Sequence, residues 1–250
     1  MKLIAIFARV RIRGLSTSGS IAALAIGAVC IAAGWTWLII LLAFYVSSTF
    51  LSRLGDDARR ERAGGIAEKS GDRDVWQVAA NGGVFTALAL ASTVRQSPAL
   101  YAAAAGAIAA STADTWATEI GTLARQLPRS IVSFKRVATG TSGAVSLPGL
   151  AAAGAGALFI AIVATALGWP PNAAIGAVSG GIGGSLIDSV LGATLQRRRW
   201  CTMCNVGTER AVHDCGSSTV PAGGIPWLGN DLVNLCCSAT GALLGYLTLA

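Results

Sequence analysis

The sequence predicts an all-α, polytopic integral membrane protein, and three observations predict it. The 250 residues are 53% hydrophobic and 12% charged, with a mean hydropathy of +0.61, whereas soluble domains carry roughly 25% charged residues. Apolar runs recur at 16–33, 35–52, 76–94, 99–120, 147–168, 174–196 and 227–250, near the ~20 residues that a spanning helix needs. Basic residues gather in alternate connections. With seven spans and the N-terminus inside, segments 1–15, 53–75, 121–146 and 197–226 hold 18 of the 19 Lys and Arg residues, and only Arg95 falls outside. That distribution is the positive-inside rule, and it accounts for the net charge of +7 without a nucleic-acid partner. The expected organisation is one transmembrane domain, 1–250, with a cytoplasmic Cys/His loop, 197–226, inside it. The expected location is a bacterial inner membrane or its equivalent.

Each element follows from local residues. The stretch Met1 to Gly14 carries Lys2, Arg9, Arg11 and Arg13 and lacks a small-residue cleavage site, so it reads as an uncleaved cytoplasmic end. The first two runs are one long run interrupted by Gly34-Trp35-Thr36-Trp37, which reads as a hairpin turn. A single tilted helix or a re-entrant pair are the alternatives, but one span there would put the six basic residues of 53–75 outside. Segment 53–75 mixes those cations with Asp56, Asp57, Glu61, Glu68, Asp72 and Asp74 and reads as a solvated amphipathic stretch; Lys69, Arg73 and Asp74 lead into Asn81-Gly-Gly. Trp35, Trp37 and Trp169 are expected at the outer interface, and Trp76, Trp200 and Trp227 at the inner one. Gly176, Gly180 and Gly184 form a double GxxxG ridge that serves helix packing.

Four carboxylates fall inside the apolar runs: Asp114, Glu119, Asp188 and Asp231, a third of the twelve acidic residues. A charge at mid-bilayer costs at least ~2.5–3.5 kcal/mol, so such residues mark functional sites. The topology sets them, with Asn81, Asn230 and Asn234, within roughly 12 Å of the inner boundary at ~1.5 Å per residue. A coupled transporter more often places its ionisable site at the midplane. Carboxylates with neighbouring Asn and Thr suit Mg²⁺, which takes one or two carboxylates plus phosphate oxygens. The competing reading pairs each carboxylate with an interfacial arginine.

Two loops complete the inventory. Lys135-Arg136 precede Thr139, Gly140, Thr141, Ser142 and Gly143, with Ser146 just before the fifth run. Small residues there expose backbone N–H groups that can cradle phosphate; no Lys follows the glycines, so this is not a P-loop. In the last inner loop, Cys201, Cys204, His213 and Cys215 have the spacing of a closed structural Zn²⁺ site, with free surface thiols as the alternative. Cys30, Cys236 and Cys237 read as small apolar residues.

Taken in order, Gln77-Val-Ala-Ala-Asn81-Gly-Gly, Asp114-Thr-Trp-Ala-Thr-Glu119-Ile-Gly, Gly140-Thr-Ser-Gly143-Ala-Val-Ser146, Gly184-Ser-Leu-Ile-Asp188-Ser through Gln196, the Cys/His loop and Asn230-Asp231-Leu-Val-Asn234 resemble a membrane family. It includes the plant and cyanobacterial phytyl-phosphate kinases and the transmembrane-protein-nineteen-like proteins of animals. Ala144 departs from the second glycine expected there, and the N-terminus is short. The resemblance implies a Mg²⁺-dependent kinase that moves a phosphoryl group from a nucleoside triphosphate to an isoprenoid monophosphate (phytyl, geranylgeranyl or farnesyl). In that reading Asp114, Glu119, Asp188 and Asp231 hold Mg²⁺; Asn81, Asn230 and Asn234 orient phosphates; Lys135, Arg136 and 139–143 bind the nucleotide. Two other readings remain: a transporter or flippase of a small anion or lipid phosphate, and a nucleotidyltransferase acting on a lipid phosphate.

Overall fold

The structure is a computed structural model and describes residues 12, 14–63, 66 and 71–248. The basic end with Lys2, Arg9, Arg11 and Arg13, and also Glu68 and Lys69, lie outside the described residues. The elements in chain order are α1 (Thr17–Ala33), α2 (Trp35–Arg53), α3 (Asp56–Ala63), α4 (Val75–Val94), α5 (Pro98–Gly121), β1 (Arg129–Ser130) and β2 (Ala144–Val145). There follow α6 (Leu147–Ala166), α7 (Pro171–Thr194), β3 (Arg198–Cys201), β4 (Val206–Thr208), β5 (Val220–Gly223) and α8 (Asn230–Leu247). Each expected apolar run contains one helix among the described residues. By length and composition, α2, α4, α6 and α7 are long and apolar enough to cross a membrane. Of the rest, α1 has 17 residues, α5 carries Asp114 and Glu119, and α8 begins with Asn230-Asp231.

Helix α5 is the axis of the bundle. Twelve consecutive residues, Ala102 to Ala113, are buried against α7, α8, α6 and α4, because its side chains are mostly Ala, Gly, Ser and Thr. Close approach explains the glycines. A Cβ at Gly106 would lie 2.2 Å from the Gly241 carbonyl oxygen, and one at Gly180 would lie 2.4 Å from that same atom. Small residues thus let α5, α7 and α8 touch backbone to backbone, the packing mode available where lipid removes the hydrophobic drive between helices.

The α1–α2 break is a hairpin turn. Gly34 has φ 138°, a conformation that costs only glycine little, and its N–H caps the carbonyls of Cys30 and Ile31. Two of the expected interfacial tryptophans are core residues instead. Trp37 and Trp169 are buried with ring centroids 4.7 Å apart, in contact with Phe85 and Tyr101. The Trp169 indole N–H donates to Thr36 Oγ1 at 3.1 Å. This aromatic knot fixes the hairpin to α4 and α5, so those rings pack rather than anchor. Trp35, Trp76 and Trp227 remain exposed.

Outside the helices, β1 pairs antiparallel with β2, and β3 lies between β4 and β5 in a small antiparallel sheet. Both sheets lie in connections at the end of the bundle where α5 and α7 finish and α4, α6 and α8 begin.

Candidate functional site

At that end a cavity of about 1010 Å³ opens between the helices and the 139–146 loop. Its wall includes Asn81 from α4, Asp114 and Glu119 from α5, Asp188 from α7, and Asn230 and Asn234 from α8. Asp114 and Asp188 lie about 10 Å before the ends of their helices, at ~1.5 Å per residue. The two carboxylates are within hydrogen-bonding reach of each other. Asp188 Oδ2 is buried with no hydrogen-bond partner. Two adjacent acids with no cation between them among the described residues form an arrangement that a bound divalent ion or a shared proton can complete.

Glu119 lines the same cavity but has different company. Its Oε2 lies 3.0 Å from Arg59 Nη1, and its Oε1 accepts from Ser52 Oγ at 2.5 Å. In this structure the carboxylate is thus an ion-pair partner, the arrangement that the competing, arginine-paired reading of the sequence expects. The cluster leads to Arg73, a residue to which the sequence alone assigns no role. Its guanidinium donates to Ser52 Oγ at 3.2 Å and reaches the cavity wall. Burial pushes its pKa down, and the charges of Glu119 and Tyr45 push it back. Its backbone is clamped as well. Arg73 N–H donates to Gly14 O at 3.1 Å, its carbonyl accepts from Ser16 N–H at 3.0 Å, and a Cβ on Gly19 would lie 2.1 Å from that carbonyl oxygen. Next to it, Asp74 caps α4 in a capping box with Gln77, so a fixed cation meets a fixed helix start.

Asp231 is not brought to the cavity wall. It is the second residue of α8, where a negative charge complements the helix macrodipole. Lys135 and Arg136 are also absent from the wall; they are exposed at the turn that follows β1. The small-residue loop does line the cavity through Thr139, Gly140, Thr141, Ser142, Gly143 and Ser146. Gly143 is obligatory here. Its φ is 72°, and a Cβ would lie 2.4 Å from both Ser189 O and Ala193 N of α7, which seats the loop directly beside Asp188. Ser146 caps α6 through the Gly149 N–H at 3.2 Å. Ser142 Oγ donates to a carboxylate the sequence did not single out, the buried Glu209 just after β4. Nothing local distinguishes Glu209 in the sequence; its N–H donates to Ile66 O at 2.8 Å and its carboxylate accepts from Ser142, both far away in the chain.

From this polar end the cavity continues between α1 and α2. Ala23, Leu24, Gly27 and Ile31 line it on α1, and Leu38, Leu41 and Leu42 on α2. The span from Ala23 to Ile31 extends about 12 Å along the helix, nearly to the Gly34 turn. The space is therefore amphipathic, with carboxylates, amides and a cation at one end and aliphatic walls beyond.

Beside the cavity the Cys/His loop gathers Cys201, Cys204, His213 and Cys215, whose ligand atoms all lie within 4.8 Å of one another. Hydrogen bonds from Ser217 and His213 pull the Cys215 pKa down to about 6, while contact with Cys215, and then burial, push the Cys204 thiol up to about 11.

Comparisons with known proteins agree with this architecture. The chain is 30% identical to Protein PGR of Arabidopsis thaliana over 89% of its length and 84% of that protein. It is 29% identical to an uncharacterized membrane protein of Methanocaldococcus jannaschii, with 86% and 76% covered. It is 27% identical to Protein VTE6, chloroplastic, of Arabidopsis thaliana, with 94% and 66% covered. No solved structure matches. The family model described as Integral membrane protein DUF92 matches residues 1–242, and the chain belongs to that family.

Proposed function

We propose that this protein is a membrane phosphotransferase that converts an isoprenoid monophosphate to the diphosphate with a nucleoside triphosphate as donor. The observation that carries the reading is the single cavity joining the Asp114–Asp188 pair and the 139–143 loop to an aliphatic limb between α1 and α2. A lipid phosphate has that same division. The resemblance to phytyl-phosphate kinases supplies the acceptor class, and the basic residues in the connections at this end support a cytoplasmic orientation.

The donor set fits Mg²⁺: two adjacent carboxylates, one with an unpartnered buried oxygen, and three asparagine amides. Mg²⁺ bound there supplies charge neutralisation on the phosphates. The chain's residues do the rest. Asp114 and Asp188 would hold the cation, and Asn81, Asn230 and Asn234 would orient phosphate oxygens. Backbone N–H groups of 139–143 and the fixed Arg73 guanidinium receive phosphate charge. An oxygen of the acceptor phosphate, already ionised at neutral pH, bonds to the terminal phosphorus of the donor, and the bridging P–O bond to the nucleoside diphosphate breaks. No strong general base is required, so positioning and electrostatics are the whole of the catalysis. The polar groups lie near one end of the bundle rather than at mid-depth, which favours this reading over a coupled transporter.

The test is direct. Purified protein with phytyl, geranylgeranyl or farnesyl monophosphate, Mg²⁺ and each nucleoside triphosphate should yield the isoprenoid diphosphate by mass spectrometry. Asp114→Asn and Asp188→Asn should each lower turnover by at least ~100-fold with unchanged thermal melting. No diphosphate from any combination overturns the proposal.

A further inference from the structure

The Cys/His loop is more than an appendage, because one of its residues forms part of the cavity wall. We infer that Cys201, Cys204, His213 and Cys215 bind one Zn²⁺ ion, and that this ion fixes the loop so that Glu209 locks the 139–143 loop through Ser142.

Three observations carry the metal. First, tetrahedral zinc with Zn–S arms of about 2.3 Å sets its sulfurs about 3.8 Å apart and a sulfur–nitrogen pair about 3.5 Å apart. Cys201 Sγ and Cys215 Sγ are 3.6 Å apart, and His213 Nδ1 lies 3.4 Å from Cys215 Sγ. Second, each ligand pair sits on a tight turn whose next residue is left-handed: Asn205 after Cys204 has φ 57°, and Gly216 after Cys215 has φ 81°. The first turn joins β3 to β4, and the second is closed by the Val212–Ser218 bridge. Two such turns facing each other present four ligand atoms to one point. Third, the loop's large apolar side chains, Trp200, Met203, Val206, Val212 and Val220, are exposed rather than packed in a core, so a crosslink is what can hold the loop in one shape.

The consequence for the cavity follows from the chain path. Strand β4 leads from the Cys201–Cys204 turn to Glu209, five residues past Cys204 and four before His213. Glu209 is buried, its N–H donates to Ile66 O at 2.8 Å, and its carboxylate accepts from Ser142 Oγ. A crosslink on both sides of Glu209 restricts the residues between. Ser142 lies beside Gly143, which packs on α7 next to Asp188. The metal thus acts through position alone, with four protein ligands and no open coordination site.

The experiment needs no substrate, so it stands apart from the phosphotransferase reading. Metal analysis of the purified protein should give about one zinc per chain, and Cys201→Ser and His213→Ala should each lose it. Hydrogen exchange by mass spectrometry should then rise on chelation in 201–218 and also in 139–143. Glu209→Gln should keep the zinc yet raise exchange in 139–143. Protein purified with zinc present that holds none, or variants that retain it, overturns the metal site. Chelation that loosens 201–218 while leaving 139–143 unchanged overturns the link to the cavity.

Discussion

Acidic residues inside apolar runs share a cost but not a role. Asp114 and Asp188 stand out in the sequence as candidates, since a charge in such a run is costly, and the structure brings both to one cavity wall. Glu119 meets the same criterion, yet it is held by Arg59 and by Ser52, which is 67 residues away in the chain. No spacing rule reports a contact of that range. Arg73 is not legible from sequence for the same reason, because its position is set by the Gly14, Ser16 and Gly19 backbone that clamps it. The two kinds of carboxylate separate in a Mg²⁺ titration of activity. Asp188→Asn should raise the Mg²⁺ requirement, whereas Glu119→Gln should leave it unchanged and lower the melting temperature by freeing Arg59. Arg73→Gln should raise KM for phosphate-bearing substrates by about 10-fold or more, the worth of a charge-assisted hydrogen bond. Equal Mg²⁺ curves for Asp188→Asn and Glu119→Gln would contradict the division.

Helix packing was the most readable level. Four-residue glycine spacing on α7 reports a close-contact face, and the distances confirm one. Gly180→Ala should cost about 1–3 kcal/mol or more, because the new methyl meets the rigid Gly241 carbonyl rather than a movable side chain. Gly83→Ala is the control, with nothing within 4 Å of its Cβ; similar thermal melts for the two variants would refute the packing account. Tryptophan position was less readable. Trp35 and Trp37 are two residues apart, but one is 63% exposed and the other 1%. The turn at Gly34 aims Trp37 into a knot with Phe85, Tyr101 and Trp169, and composition carries no sign of that aim.

At the scale of the whole molecule, alternating helix direction gathers residues distant in sequence at one end of the bundle. Charge counting alone leads to that arrangement of the carboxylates. The aliphatic limb does not follow from it, since Ile31 and Leu38 are ordinary membrane residues until the α1–α2 hairpin sets them across a cavity. If the limb holds the isoprenoid tail, Leu38→Trp should shift preference toward shorter acceptors, read as relative kcat/KM for farnesyl against phytyl monophosphate. An unchanged ratio would place the tail elsewhere. The most direct test of the central claim uses nucleoside triphosphate labelled either at the terminal or at the innermost phosphate. Label from the terminal phosphate should enter the isoprenoid lipid, with Asp114→Asn and Asp188→Asn abolishing it. Label from the innermost phosphate entering the lipid, or no label entering at all, would contradict phosphoryl transfer in this cavity.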